Sequence, residues 1–188
     1  MLKWTARAVI PFVLGIATLG VAQAQEPAGG RRALTAPDYA EIQQLYARYA
    51  FAYDTAEDNG NAYARVFTPD GAFNFPNGDP RARCPVIAGS RAAECKGHEA
   101  LAKLARGSGN KSRLTLSHVT MNIVIEPTPE GATGKAYLGL PSPGGGGLRV
   151  AGLYEDVLVK TPQGWRFKLR AYTSILNLQR EASPPPTR

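Results

Sequence analysis

The residues best suited to acid–base chemistry in this sequence are Asp54 and the two histidines, His98 and His118. Asp54 directly follows Tyr53 in the segment FAYDTAED, residues 51–58, which contains no lysine or arginine. A carboxylate at the mouth of an apolar cavity loses hydration, so it needs a partner that stabilises its charge or shares its proton. An imidazole is such a partner, since it can accept and donate a proton near neutral pH. An acid and an imidazole in one enclosed space could therefore move a proton on an apolar substrate.

His118 lies in the segment RLTLSHVTMNIVIE, residues 113–126, where polar and apolar positions alternate as in a strand. This alternation predicts that His118, Thr120 and Asn122 share one face. The opposite face carries the apolar residues Val119, Met121, Ile123 and Ile125. Alternation alone leaves open whether the His118 face lines a cavity or lies against solvent or another subunit. His98 begins a predicted helix, and we expect it to be exposed.

A predicted helix over residues 36–55 carries Asp54 near its end. Thr35 and Asp38 have the spacing of a capping box, and Pro37 suits the first helical turn. Aromatic and apolar residues then recur at helical spacing: Tyr39, Ile42, Tyr46, Tyr49 and Tyr53. Packing in the core is as good an interpretation of Tyr53 as catalysis.

The remaining elements complete an α+β prediction. A short helix over 61–67 is stopped by the turn sequence TPDG, a short strand covers 72–75, and a third helix covers 97–110. The strand of His118 is followed by three more, over 134–140, 148–161 and 165–176, joined by short turns rich in proline and glycine. Consecutive strands joined in this way predict an antiparallel meander with the helices packed on it.

The chain begins with the features of a secretory signal. Lys3 and Arg7 precede an apolar run over residues 8–21, and small residues then favour cleavage after Ala24. The run is short and broken by proline and glycine, which disfavours a retained anchor. We therefore expect a signal peptide over 1–24, a linker over 25–34, one domain over 35–178 and a disordered tail over 179–188. The mature protein is then periplasmic or secreted, with no membrane segment.

The charge distribution and the cysteine content indicate which classes of ligand and partner the protein can bind. The formal net charge is +7, but lysine and arginine are scattered without a run of five, so no nucleic acid is expected. Cys84 and Cys95 are predicted to form a disulfide, because an exported chain meets an oxidising compartment. Two histidines and two cysteines lack the spacing of zinc sites, and no glycine-rich dinucleotide fingerprint is present. The sequence thus indicates no metal and no cofactor.

The order and lengths of these elements resemble the nuclear transport factor 2-like superfamily, and within it the SnoaL-like domains that include scytalone dehydratase and bile acid dehydratases. The resemblance is carried by four segments: YARYAFAYDTAEDNGNAYARVFTPDGAF, GHEAL, SHVTMNIVIE and YEDVLVKTPQGWRFKLRAY. It implies a cone-shaped fold with three N-terminal helices packed on a curved antiparallel sheet. The scaffold hosts isomerases, dehydratases, hydrolases, cyclases and proteins without catalysis, so it does not decide the function.

The resemblance also implies a site. Tyr53 and Asp54 match a pair that points into the cone, His118 matches a histidine facing it, and Arg170 falls near a functional arginine of some bile acid dehydratases. Scytalone dehydratase uses a second histidine, which the segment AYLGLPSPGGGG lacks here, so its chemistry does not transfer in full.

On this basis Asp54 would orient His118 through one ring nitrogen and leave the other to remove a proton beside a carbonyl. Tyr53 or Tyr154 could polarise the carbonyl, and Asn122 or Arg170 could orient the substrate. The expected protein is a dehydratase or isomerase without cofactor, acting on a small apolar carbonyl or hydroxylated compound. Two alternatives stay open: a non-catalytic binder of small apolar ligands, and an interaction module that assembles as a homodimer or homotrimer.

Overall fold

The computed structural model of the protein describes residues 33–78, 83–108, 118–142 and 145–175. The predicted signal peptide, most of the linker and the predicted tail lie outside this part. Between residues 33 and 175, leaving out the three gaps, no helix is long and apolar enough to cross a membrane.

The first helix, α1, spans Ala36–Thr55, which confirms the predicted bounds. Thr35 caps it, and the reciprocal contacts of Thr35 and Asp38 form the predicted capping box. The buried face of α1 includes Ile42, Tyr46 and Tyr49. The helix ends where Ala56 adopts a left-handed conformation with φ 49°.

Two short helical segments and one longer helix complete the helical layer. A 3₁₀ segment, Glu57–Gly60, leads directly into α2, Asn61–Ala64. The third helix, α3, spans Gly97–Ser108 and buries Leu101 and Leu104. The predicted second helix is therefore shorter than expected, because the chain turns into a strand at Phe67.

Six strands of the described residues form one sheet. They are β1 (Phe67–Phe75), β2 (Ala93–Lys96), β3 (Val119–Thr128), β4 (Gly131–Pro141), β5 (Leu148–Thr161) and β6 (Gly164–Ser174). Their spatial order is β2-β1-β6-β5-β4-β3. The predicted meander from β3 to β6 is present, and the α+β class is confirmed.

The sheet is mixed, because β1 pairs in parallel with β6 while every other neighbouring pair of these strands is antiparallel. A prediction from hairpin turns could not reach this pairing, since β1 and β6 are far apart in sequence. The prediction that TPDG is a turn is wrong: these residues lie within β1, at an irregularity between Phe67 and Ala72.

A disulfide ties the segment before β2 to that strand. Cys84 and Cys95 are bonded, with their Cα atoms 4.9 Å apart, which confirms the predicted pair. Both cysteines are buried in the main core. The cross-link thus anchors a segment with little regular structure of its own.

A β-bulge partway along β3 changes which alternate side chains of the strand point inward. The register with β4 shifts between Met121 and Val124, and Asn122 has φ 53°. Before the bulge, His118 and Thr120 point inward; after it, Ile123 and Ile125 do. The predicted single alternation is therefore wrong, because one extra residue inverts the parity of everything that follows.

A second bulge has the same effect in β6. There Phe167 pairs with Leu158 and Leu169 with Val157, so Lys168 is the extra residue. Uninterrupted alternation would place Arg170 on the same face as Arg166 and Lys168, and the bulge prevents this. Lys168 is exposed, whereas Arg170 is fully buried.

Candidate active site

The structure brings Asp54 and His118 together at the junction of α1 and β3. Oδ2 of Asp54 accepts a hydrogen bond from the backbone N–H of His118 at 2.8 Å, and Oδ1 contacts the ring Nδ1. The side chains are 16% and 8% exposed respectively, so the pair is screened from bulk water yet still reachable. Two contacts from one carboxylate fix both the backbone and the ring of the histidine.

Helix and strand geometry explain this meeting. Asp54 lies in the last turn of α1, where its side chain extends past the packed face formed by Tyr46 and Tyr49. His118 lies immediately before β3, so its backbone N–H is outside the regular β3–β4 ladder and is free to pair with a side chain.

The ring of Tyr53 borders the imidazole. The centroids of Tyr53 and His118 are 4.8 Å apart with their planes at 73°, an edge-to-face contact. Tyr53 also meets Tyr63, with centroids 5.0 Å apart, and stacks on Tyr49 at 6.3 Å. Aromatic rings therefore form one wall beside the histidine.

Two buried hydroxyls lie on the same side of the sheet. Tyr63 Oη and Thr120 Oγ1 have no hydrogen-bond partner among the described residues. Thr120 is two residues from His118 on the same face of β3, and Tyr63 is in ring contact with Tyr53. A buried hydroxyl without a partner is costly, so these groups are suited to a polar atom of a ligand or to water.

Burial keeps the nearby phenols protonated. Desolvation is the main cause that raises the pKa of Tyr63 well above its usual value, and the same holds for the pKa of Tyr154. Such phenols act at neutral pH as neutral hydrogen-bond donors.

Arg170 lies deeper, inside the core. Its Nε and Nη2 donate to the two carboxylate oxygens of Asp156, each at 2.8 Å, and Tyr46 donates its hydroxyl proton to Oδ2 of the same carboxylate. Both charged side chains are 0% exposed. Burial alone would lower the pKa of Arg170, but Asp156 raises it above the usual range, so the guanidinium stays charged.

Aromatic rings enclose this guanidinium. Its Cζ lies 4.0–4.7 Å from the ring centroids of Phe167, Tyr49, Tyr154 and Tyr46. Such cation–π contacts stabilise a desolvated cation. Nη1 has no hydrogen-bond partner among the described residues.

The other predicted substrate contacts lie in different surroundings. Tyr154 is buried next to Arg170, and its hydroxyl oxygen lies 3.4 Å from that of Tyr49. Among the described residues, the ring in contact with the imidazole of His118 is that of Tyr53, not that of Tyr154. Asn122 is exposed at the bulge of β3. Asp54, His118 and Tyr53 thus form one cluster, Tyr154 and Arg170 another, and Asn122 stands at the surface.

Sequence reasoning missed Asp156, Tyr63 and Thr120. The burial of Asp156 could have been predicted, since it lies two residues from both Tyr154 and Leu158 and therefore shares their face of the strand. Thr120 was placed on the face of His118 without a role. For Tyr63 the sequence offers only an aromatic residue in a short helix.

The described residues contain no group of three or more histidine, cysteine or acidic side chains that could hold a metal ion. Chemically, the Asp54–His118 pair can accept and return a proton through the ring nitrogen that faces away from the carboxylate.

Comparisons with known proteins bear on this fold and site. A family model described as a SnoaL-like domain matches residues 34–171. No curated protein matches the chain in sequence.

Solved structures share the fold. A protein of unknown function with a cystatin-like fold from Nostoc punctiforme is 23% identical, with a TM-score of 0.58, over 75% of this chain and 93% of its own. A nuclear transport factor 2-like protein from Novosphingobium aromaticivorans is 20% identical, with a TM-score of 0.55, over 74% and 82%. A candidate scytalone dehydratase from the same organism is 18% identical, with a TM-score of 0.53, over 73% and 84%.

Proposed function

The chain belongs to the SnoaL-like domain family, and on that premise we infer that it is an exported, cofactor-independent dehydratase or isomerase. Its substrate class is a small, largely apolar compound with a carbonyl group, and for dehydration a hydroxyl on the β carbon. One observation carries the proposal: the carboxylate of Asp54 contacts His118 at both the backbone N–H and the ring Nδ1.

In the proposed reaction, Nε2 of His118 removes a proton from the carbon beside the carbonyl, and the C–H electron pair forms an enolate. Tyr53 is the phenol in ring contact with the imidazole, so it is the proposed donor to the carbonyl oxygen. The C–O bond at the β carbon then breaks, and the departing hydroxide takes the proton back from His118 to leave as water. Isomerisation uses the same first step, with the proton returned to another carbon.

Export is the second part of the proposal. It is supported by the signal-like sequence at the start of the chain and by the Cys84–Cys95 disulfide, a bond that persists in oxidising compartments. Mass spectrometry of the protein from the periplasm or medium tests it, with a mature chain that begins near residue 25 expected. A full-length chain found in the cytoplasm contradicts it.

The reaction is tested with a panel of cyclic β-hydroxy ketones. Loss of water gives a conjugated enone, which absorbs in the near ultraviolet, and solvent deuterium entering beside the carbonyl reports the first step separately. Asp54→Asn and His118→Ala are each expected to lower the rate by about a hundredfold or more, the range of general acid–base assistance, with the melting temperature nearly unchanged.

Asp58→Asn is the matched control, because Asp58 lies four residues from Asp54 but forms an exposed pair with Arg65. Full activity of this control is expected. Full turnover in Asp54→Asn, or equal losses in all three variants, would refute the acid–base pair. Stoichiometric binding without exchange or product would instead identify a non-catalytic binding protein.

Self-association through the outer face of the sheet completes the proposal. That face exposes Met121, Val124, Tyr137 and Val157, each 38–54% exposed, together with the surface pair Lys135–Glu155. Clustered exposed apolar residues on one sheet face favour burial against another copy, as a homodimer or homotrimer.

A further inference from the structure

A groove of about 420 Å³ lies on the side of α1 that does not face Asp54 and His118. It runs between α1, α2 and the start of β6, and neither Asp54, Tyr53 nor His118 lines it. A hydrogen bond from the N–H of Phe167 to the carbonyl of Val66, 3.0 Å long, holds its strand side to the turn after α2. Its volume falls within the range of small-molecule sites, about 300–1,000 Å³.

Three arginines and one glutamate supply the charges of this groove: Arg48, Arg65, Arg166 and Glu57. They come from separate elements, namely α1, the 3₁₀ segment, the turn after α2, and β6, so the fold rather than local sequence gathers them. The charge balance therefore favours an anion.

The arginines are available to a ligand. Arg48 is exposed and makes no ion pair with any described residue. Arg65 pairs with Asp58 at 2.6 Å, but both side chains are more than half exposed, and such surface pairs contribute little and exchange readily. Arg166 donates from Nη1 to the carbonyl of Trp165 at 2.7 Å, which orients the guanidinium while its other N–H groups stay available.

The groove also has an apolar side. Phe51 is 73% exposed, the largest exposed fraction among the large apolar side chains of the described residues, and it lies one helical turn from Arg48. Leu45, Ala52 and Val66 form the buried floor. An aromatic ring beside guanidinium groups suits a ligand that has an apolar body and a carboxylate.

We propose that this groove is a second ligand site, separate from the Asp54–His118 pair, which binds a small aromatic carboxylate. Arg48 and Arg166 hold the carboxylate, and Arg65 joins them when it releases Asp58. Phe51 covers the apolar body.

The test is calorimetric titration of the full mature chain with 2-naphthoate, and with 2-naphthamide as its uncharged analogue. We expect saturable binding of one naphthoate per chain and binding of the amide that is weaker by roughly tenfold or more, since hydrogen bonds to a charged group are stronger than those to a neutral group. Arg48→Gln should weaken naphthoate binding by about tenfold, and Phe51→Ala should also weaken it.

Two controls locate the binding. Lys103→Gln removes one positive charge from the exposed face of α3 and should leave naphthoate affinity unchanged. Asp54→Asn should also leave it unchanged, which separates this groove from the proposed acid–base site. Absence of saturable binding at millimolar naphthoate, or equal affinity in wild type and Arg48→Gln, would overturn the proposal. So would tighter binding of an oligoglutamate peptide, which would assign the groove to an acidic peptide instead.

Discussion

Asp156 and Arg170 face each other across β5 and β6 as a doubly hydrogen-bonded ion pair that is fully buried. A buried charge that loses its partner costs far more than the pair gains over apolar residues of similar volume. The pair therefore behaves as one unit of the core.

The first prediction concerns this pair. Asp156→Leu and Arg170→Met should each lower the free energy of unfolding by about 3–5 kcal/mol, because each leaves one uncompensated buried charge. The double variant should recover most of that loss, though not all, since Tyr46 loses the acceptor of its hydroxyl. Urea denaturation of the four proteins measures the coupling. Additive losses would show that the two residues act independently.

The second prediction concerns pH and Asp38. Hydrogen bonds from Lys160, then Thr35 and Trp165, hold the pKa of Asp38 well below its usual value. Because the folded-state pKa is lower than the unfolded value of about 3.9, the ionised group stabilises the fold fully above that pH and progressively less below it. Asp38→Asn should therefore be less stable than wild type by about 1.5–3 kcal/mol at neutral pH, with the difference narrowing below about pH 4.

Denaturant titrations from pH 7 to pH 2 measure this difference. Asp58→Asn is the control, since its exposed pair with Arg65 should contribute less than about 1 kcal/mol at any pH. A gap between wild type and Asp38→Asn that stays constant down to pH 2 would contradict the assignment.

The third prediction compares the two histidines. His118 contacts Asp54 through Nδ1, so its neutral form should carry the proton on Nδ1. His98 approaches the carbonyl of Phe67 through Nε2 at 3.2 Å, and a carbonyl only accepts, so its proton should be on Nε2. Long-range ¹H–¹⁵N correlation spectra, at a pH where both rings are neutral, distinguish the two tautomers.

In Asp54→Asn the tautomer preference of His118 should weaken while that of His98 is unchanged. Finding the Nε2–H tautomer at both positions in the wild type would leave His118 without the free ring nitrogen that the proposed proton transfer requires.

The fourth prediction concerns assembly. Val124→Lys places a charge on the exposed apolar face of the sheet, where Val124 lies on the edge strand β3 and is 54% exposed. Light scattering should show a dimer or trimer for the wild type and a smaller species for the variant, with circular dichroism unchanged. Phe51→Lys, on the helical side of the molecule, is the matched control and should not alter the mass. A monomeric wild type at micromolar concentration contradicts the prediction.

Much of the fold could be predicted from local patterns. Thr35 and Asp38 fix the start of α1 because a capping box satisfies backbone donors through side chains only a few residues away. The hairpin turns likewise determine the order of β3 to β6. The parallel pairing of β1 with β6 could not be predicted, because it depends on contacts between segments about a hundred residues apart.

Only part of the candidate site could be predicted from the sequence, for a related reason. Asp54 and His118 were paired through a family resemblance, since nothing in the sequence between them specifies that they meet. The buried position of Arg170 could not be predicted, because the bulge at Lys168 has no distinctive residue and one extra residue reverses the parity of β6.

The bulge at Asn122 makes the Asp54–His118 contact depend on backbone conformation as well as on side-chain identity. If Asn122 took a regular extended conformation and paired in the β3–β4 ladder while Ile123 and Ile125 kept their inward positions, His118 and Thr120 would rotate toward the outside, and Val119 and Met121 would take their place. A change confined to the backbone of one surface residue would thus separate the pair and leave both side chains chemically intact.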